Sequence, residues 1–165
     1  MRRKHAYRAL KGAFRAGRDR FGFRLNQYSV QSNHLHLIVE AKDRTALSRG
    51  MQGLAIRIAK ALNRTWGRRG KVFGDRYHDR ILRSPAQVRN SMRYVLCNHA
   101  RHGHSITGRP DPYASAIWFD GWRGYRVPRD ASDPPTTRSR TWLQREGWRQ
   151  GGLIAIPTAR PRVTR

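Results

Sequence analysis

The spacing of apolar side chains divides the first half of the chain into short, well-separated elements. Leu10, Ala13 and Phe14 recur at helical intervals, which predicts a basic amphipathic helix over residues 6–16, with Gly17 and Gly22 as punctuation. Residues 23–30 are strand-prone, Gln31-Ser32-Asn33 reads as a turn, and residues 34–40 complete an antiparallel hairpin. Leu47, Met51, Leu54, Ile58 and Leu62 then form one apolar stripe, predicting a second helix over 45–64. Gly50 and Gly53 lie inside it, where glycine marks either a close approach or a tolerated weakness.

A basic turn follows at residues 67–70, and residues 71–83 read as an extended segment crossing the sheet. The third helix carries a strong start signal, with Ser84 as cap, Pro85 at the first helical position and Gln87 in the capping-box place. Val88, Met92, Val95 and Leu96 supply its buried stripe. After Gly103 the chain turns rich in Gly, Pro, Ser, Arg and Trp and loses periodicity. Within it, residues 118–122 suit an aromatic cluster or base stacking, 132–140 a linker, 141–149 a short helix, and 157–165 a frayed basic tail. The expected organisation is one domain over 1–122 and a basic, partly disordered extension over 123–165.

Charge changes the picture. Among 165 residues, 35 Lys and Arg against 10 Asp and Glu give a formal charge of +25, which implies a polyanionic partner. The excess is mostly arginine, whose planar fork suits phosphates and base edges, so nucleic acid is favoured over a lipid surface. No long apolar run and no apolar segment behind the basic start point to a membrane span or secretory signal, so an intracellular protein is expected. Cys97 is the only cysteine, which excludes an internal disulfide and a cysteine-based zinc cluster.

Against that background the segment Asn33-His34-Leu35-His36-Leu37-Ile38-Val39 stands out. A strand period of two sets the imidazoles of His34 and His36 on one face and Leu35, Leu37 and Val39 on the other. Two such rings either grip one divalent ion or hydrogen-bond their neighbours. On the third helix, Gln87, Tyr94, Asn98 and Arg101 share a face, so Tyr94 and Asn98 are expected to be presented together. A phenolic oxygen attacks a phosphodiester if a metal polarises the phosphate, and the Asn98 amide oxygen is available as a third ligand. Two imidazoles favour Mn2+ over Mg2+, with cellular abundance deciding between them. Tyr28 and Tyr77 are rival nucleophiles, more simply read as sheet residues, and His78 and His99 are further candidates near the site.

The His-hydrophobic-His run, Arg76-Tyr77-His78-Asp79-Arg80 and Tyr94-Val95-Leu96-Cys97-Asn98, in that order, resemble the motifs of the IS200-like single-tyrosine transposases, especially their REP-associated relatives. The resemblance covers roughly residues 6–122. It implies a ferredoxin-like α/β sandwich with an antiparallel sheet, acting on single-stranded or hairpin DNA in a prokaryotic, nucleoid-associated setting. It also implies His34, His36 and Asn98 at a Mg2+ or Mn2+ ion, and Tyr94 as the nucleophile that becomes linked to a DNA 5′-phosphate. Many members are dimers; the REP-associated ones include monomers. Lys60, Arg64, Arg76, Arg80, Arg93 and Arg101 are the expected nucleic-acid contacts.

Two departures matter. The family begins with a β-strand before its first helix, and here that strand is absent, which would bare backbone groups beneath the histidines. His99 follows Asn98 where REP-associated relatives commonly carry proline. The rival readings are therefore a truncated DNA-binding relative without catalysis and a structural nucleic-acid-binding protein of ribosomal type.

Overall fold

The structure, a computed structural model, describes residues 1–98, 108–128, 131 and 133–158. Helix α1 (Lys4–Gly17) leads into a three-stranded antiparallel sheet of β1 (Asp19–Arg20), β2 (Phe23–Val30) and β3 (Leu35–Ala41), in that spatial order. Helix α2 (Arg44–Thr65) and helix α3 (Pro85–Leu96) follow. The result is a mixed α/β arrangement whose helices lie on opposite faces of the sheet.

Period-two alternation assigns those faces. Leu35, Leu37 and Val39 of β3 pack with Leu10 and Phe14 of α1 and with Leu54, Ile58 and Leu62 of α2. Ile38 points the other way and is buried with Val88, Met92 and Val95 of α3. On β2 the inward residues are Phe23 and Leu25, then Tyr28 and Val30, a change of phase. The register with β3 shifts between Leu25 and Gln27, so the extra residue Asn26 returns the strand to the same core.

Each helix begins where local chemistry permits. The Asp43 carboxylate accepts the Ala46 amide at 2.7 Å to cap α2. Ser84 caps α3 by accepting the Gln87 amide at 3.3 Å, and the Gln87 carboxamide oxygen reaches back to the Arg83 amide at 2.7 Å. The two α2 glycines part company. A Cβ at Gly50 would lie 2.2 Å from the Phe23 ring, so Gly50 is a close approach between helix and sheet. At Gly53 a Cβ would meet only the mobile end of Arg57, so that glycine is merely tolerated.

Residues 71–83 cross from one face of the sheet to the other as their pattern places them, irregularly and without joining the ladder: Val72 and Phe73 lean on the α1–α2 core and Leu82 on the α3 core. Among residues 123–158, expected as part of a basic, partly disordered extension, much is packed. Trp148 and Ile154 are buried with Phe119 and Trp122, and β4 (Trp122–Arg123) pairs in parallel with β5 (Ile154–Ala155). The aromatic run 118–122 therefore packs, with the Trp122 indole donating to the Ala116 carbonyl at 2.7 Å. The expected short helix is present as α4 (Trp142–Arg145) followed by a 3-10 turn, Gly147–Gly151. Residues 159–165 of the basic tail lie outside the described residues.

This C-terminal chain also seals β2. The Val30 amide donates to the Tyr113 carbonyl at 3.0 Å, the Tyr28 amide to Ser115 Oγ at 2.9 Å, and the Thr137 amide to the Leu25 carbonyl at 2.9 Å. Those contacts supply the partners that an outer strand would otherwise provide. Arg2 fixes the chain start to the same segment through a two-pronged pair with Asp111, both contacts 2.8 Å. At the far end of β3 the Glu40 carboxylate accepts the Arg140 amide at 2.8 Å and the Thr141 amide at 2.9 Å. The outer edge of β3 carries no strand among the described residues; the Gln144 side chain reaches the Val39 carbonyl at 3.3 Å.

Candidate functional site

The turn between β2 and β3 is closed by the Gln31 amide donating to the His34 carbonyl at 2.9 Å, which delivers His34 at the mouth of β3 and His36 two residues along it. Their Nε2 atoms stand 3.1 Å apart, with the rings edge to face. That contact is a hydrogen bond between the rings as they stand, and its length also equals, to about 0.1 Å, the separation of two nitrogens bound at right angles to one ion at about 2.1 Å. Asn33 adds a further constraint. Its Oδ1 lies 2.8 Å from His34 Nδ1. A carboxamide oxygen only accepts, so Nδ1 carries the proton and Nε2 keeps its lone pair for a ligand.

Helix α3 lies against the same face of β3 and presents Tyr94 to the pair. Val88, Met92, Val95 and Leu96 anchor the helix, which turns Tyr94 outward at 42% exposure. The Tyr94 ring sits 5.0 Å from the His36 ring, centroid to centroid, at 76°. Accessible phenol and paired imidazoles thus share one surface, with the exposed Arg93 next to Tyr94 in the chain.

Asn98 does not join them on an exposed helical face. α3 ends at Leu96, and the chain turns at Cys97 before Asn98. Asn98 is 1% exposed, and among the described residues neither its Oδ1 nor its Nδ2 has a hydrogen-bond partner. The offset of four from Tyr94 assumed one continuous helix, and the helix is two residues too short for that. Buried Cys97 is chemically quiet, since desolvation pushes its thiol up to about 11.

The rival tyrosines separate cleanly from Tyr94. Tyr28 is fully buried, its hydroxyl 2.9 Å from that of Tyr7, and burial raises its pKa far above the ordinary tyrosine value. Tyr77 is half-buried beneath the Arg76 guanidinium. Arg76, His78 and Arg80 are exposed on the irregular segment before α3. Lys60 and Arg64 are exposed on α2, on the sheet face opposite the histidines. His99 and Arg101 lie outside the described residues. Among the described residues no group of three or more His, Cys, Asp or Glu gathers, so the histidine pair accounts for two metal positions.

Sequence reasoning gave Asn33 no role beyond the turn. Its signal was its place one residue before the first histidine, where a short carboxamide can only reach that ring.

An exposed phenol beside two imidazoles brings together a nucleophile type and a metal-ligand type on one surface. The family model described as Transposase IS200 like matches residues 1–96, a span that includes His34, His36 and Tyr94. The chain belongs to the IS200-like transposase family. No curated protein and no solved structure matches it. Membership supports a transposase or nuclease activity of the tyrosine-nucleophile type on single-stranded DNA. Among the described residues no helix is long and apolar enough to cross a membrane.

Proposed function

We propose that this chain is a metal-dependent endonuclease and strand-transferase for single-stranded or hairpin DNA, of the REP-associated branch, with Tyr94 as nucleophile. The observation that carries the reading is the 5.0 Å approach of the Tyr94 ring to His36, itself paired with His34. In this reading the sheet is a ferredoxin-like sheet without its first strand, its β2 edge covered by residues 113–115 and 137.

His34 and His36 would hold a Mn2+ or Mg2+ ion, with the Asn98 amide oxygen as the candidate third ligand. When bound, the ion supplies Lewis-acid polarisation of the phosphate oxygens. Asn33 keeps the His34 Nε2 lone pair available. The Tyr94 hydroxyl oxygen attacks phosphorus, the Oη–P bond forming as the P–O3′ bond breaks. The phenolic proton leaves to solvent and the departing 3′-oxygen takes one up. The phosphodiester is exchanged for a phosphotyrosine ester, so a free 3′-hydroxyl can reverse the step and join strands without a nucleotide cofactor. Arg76, Arg80, Arg93 and Arg101 would neutralise the phosphates on either side.

A second reading, a DNA-binding relative without catalysis, draws on Asn98, which is buried away from the exposed face that carries Tyr94. One assay divides the two. Labelled hairpin DNA with Mn2+ or Mg2+ should give a denaturation-resistant protein–DNA adduct, lost in Tyr94→Phe and in His36→Ala. Tight binding with no adduct from the unaltered chain would leave only the second reading.

A further inference from the structure

We infer that Trp66 and Arg68, at the C-terminal end of α2, form a base-stacking platform for single-stranded DNA; the inference rests on the DNA-nuclease reading above and adds a second contact to it.

The end of α2 is shaped to present these two side chains. Gly67 has φ +61, a left-handed conformation that suits glycine. The Arg68 amide donates to the Asn63 carbonyl at 3.0 Å and the Gly67 amide to the Arg64 carbonyl at 3.4 Å, the paired bonds of a Schellman ending. That motif brings the residues on either side of the glycine together. The Arg68 guanidinium lies 4.9 Å from the centre of the Trp66 indole, while its Nε donates to Asn63 Oδ1 at 3.2 Å. Asn63 also holds the following turn through Gly70, at 2.7 Å. The indole is 40% exposed, unlike the buried Trp122 and Trp148. A rigid, exposed plane with a cation already stacked on it suits a nucleobase, whose ring stacks and whose phosphates need charge.

Charge selects the same partner. From Arg44 to Gly74 the sequence has no Asp or Glu, while Lys60, Arg64, Arg69 and Lys71 are exposed around the indole's end of the helix. An acid-free aromatic tip fits a polyanion and disfavours a basic partner. Position links it to the site. Gly50 packs against Phe23 at the start of β2, and the helix from there to Trp66 climbs about 24 Å. The strand from Phe23 to Val30 climbs about 23 Å, and α2 returns from the far end of β3, so Trp66 lies toward the end of the sheet that carries His34. A strand stacked on Trp66 turns round that end to reach the histidine–tyrosine face.

The test uses the full chain and a fluorescein-labelled single-stranded dT oligonucleotide, with EDTA present so that binding is read alone. Trp66→Ala should weaken binding about tenfold, within the roughly 5- to 150-fold that stacking of one base represents, and Trp66→Phe should retain most of it. The salt slope should stay fixed in Trp66→Ala and fall by about 0.7 in Arg68→Ala, because only the arginine neutralises a phosphate. On an abasic oligonucleotide the Trp66→Ala chain should bind as the unaltered one does. Equal affinity of both for the dT strand, with unchanged thermal melting, overturns the platform, as does a preference for duplex DNA that survives in Trp66→Ala. A Trp66-dependent affinity without any Tyr94-dependent adduct keeps the platform and removes the nuclease reading. An adduct with no Trp66 effect does the reverse.

Discussion

The two faces of the central sheet are covered by different kinds of chain. On one face α1 and α2 are joined directly to the strands they cover, and Tyr7, Phe14, Tyr28 and Leu62 meet within the first 65 residues. On the other, α3 shares its core with Phe119, Trp122, Trp148 and Ile154, which arrive from far along the sequence. The buried core of the first face comes entirely from the first 62 residues, with Val72, Phe73, Tyr113 and Trp118 packed on its margin. The second carries Tyr94 and the histidines, and its buried core itself includes remote segments. The candidate site therefore sits on the face whose core is completed later in the chain.

Substitution at Trp148 should divide the faces most strongly. Trp148→Ala empties the middle of the α3 core and should cost roughly 3–5 kcal/mol, read by denaturant unfolding. Hydrogen exchange should accelerate in α3 and residues 115–156 and remain slow in α1 and α2; equal acceleration everywhere would make the two faces one cooperative unit. On the first face, Gly50→Ala forces a methyl into the Phe23 ring and should cost roughly 1–3 kcal/mol despite its better helix propensity. Gly53→Ala, three residues away, should be neutral or slightly stabilising, and equal losses would remove the close approach as the cause.

Alkali should act on the two faces through different groups. Burial raises the Tyr28 hydroxyl and pushes that of Tyr7 up to about 12, against 10.0 ordinarily. The folded chain thus keeps protons that the unfolded chain releases, so the tyrosine contribution is intact below pH 10 and falls as the pH rises beyond it, by on the order of 1 kcal/mol for each tyrosine at pH 11, while the Cys97 thiol of the second face begins the same loss above pH 9.0. Tyr28→Phe should flatten that fall, seen as a smaller drop in melting temperature between pH 9 and 11. The smallest effect belongs to the second face: Ser84→Ala removes the α3 cap and should cost about 1 kcal/mol, with fraying at Pro85–Leu96 in exchange profiles.

What was legible in the sequence follows the same division. The α2 stripe, the hairpin around residues 31–34 and the Ser84–Pro85–Gln87 start are set by local period and capping, and each forms where the pattern places it. The bulge at Asn26 was also written in the chain, as the phase change from Phe23 and Leu25 to Tyr28 and Val30. The crossing of residues 71–83 was legible as an extended run, but the destinations of its side chains were not, because Val72, Phe73 and Leu82 serve two cores without alternating. The partners of β2 near Tyr113 and Thr137 were not legible at all, since backbone contacts of that range leave no periodic trace.

For the site, a period of two was enough to pair His34 with His36, and Tyr94 came from the outward face of α3. The approach of Tyr94 to His36 required knowing that α3 packs on Ile38. Asn98 shows where helical arithmetic stops, because the arithmetic continues past Leu96 and the helix does not.

The long bonds that seal β2 also set a timetable for the ribosome. The Asn26 side chain bonds to the Thr137 carbonyl across 111 residues. At 5–20 residues per second, β2 emerges roughly 6–22 s before the residue that closes its outer edge has been synthesised. During that interval the nascent chain displays an open strand edge, and chaperone access or slow translation between the two would decide how much of each new molecule reaches the sealed fold.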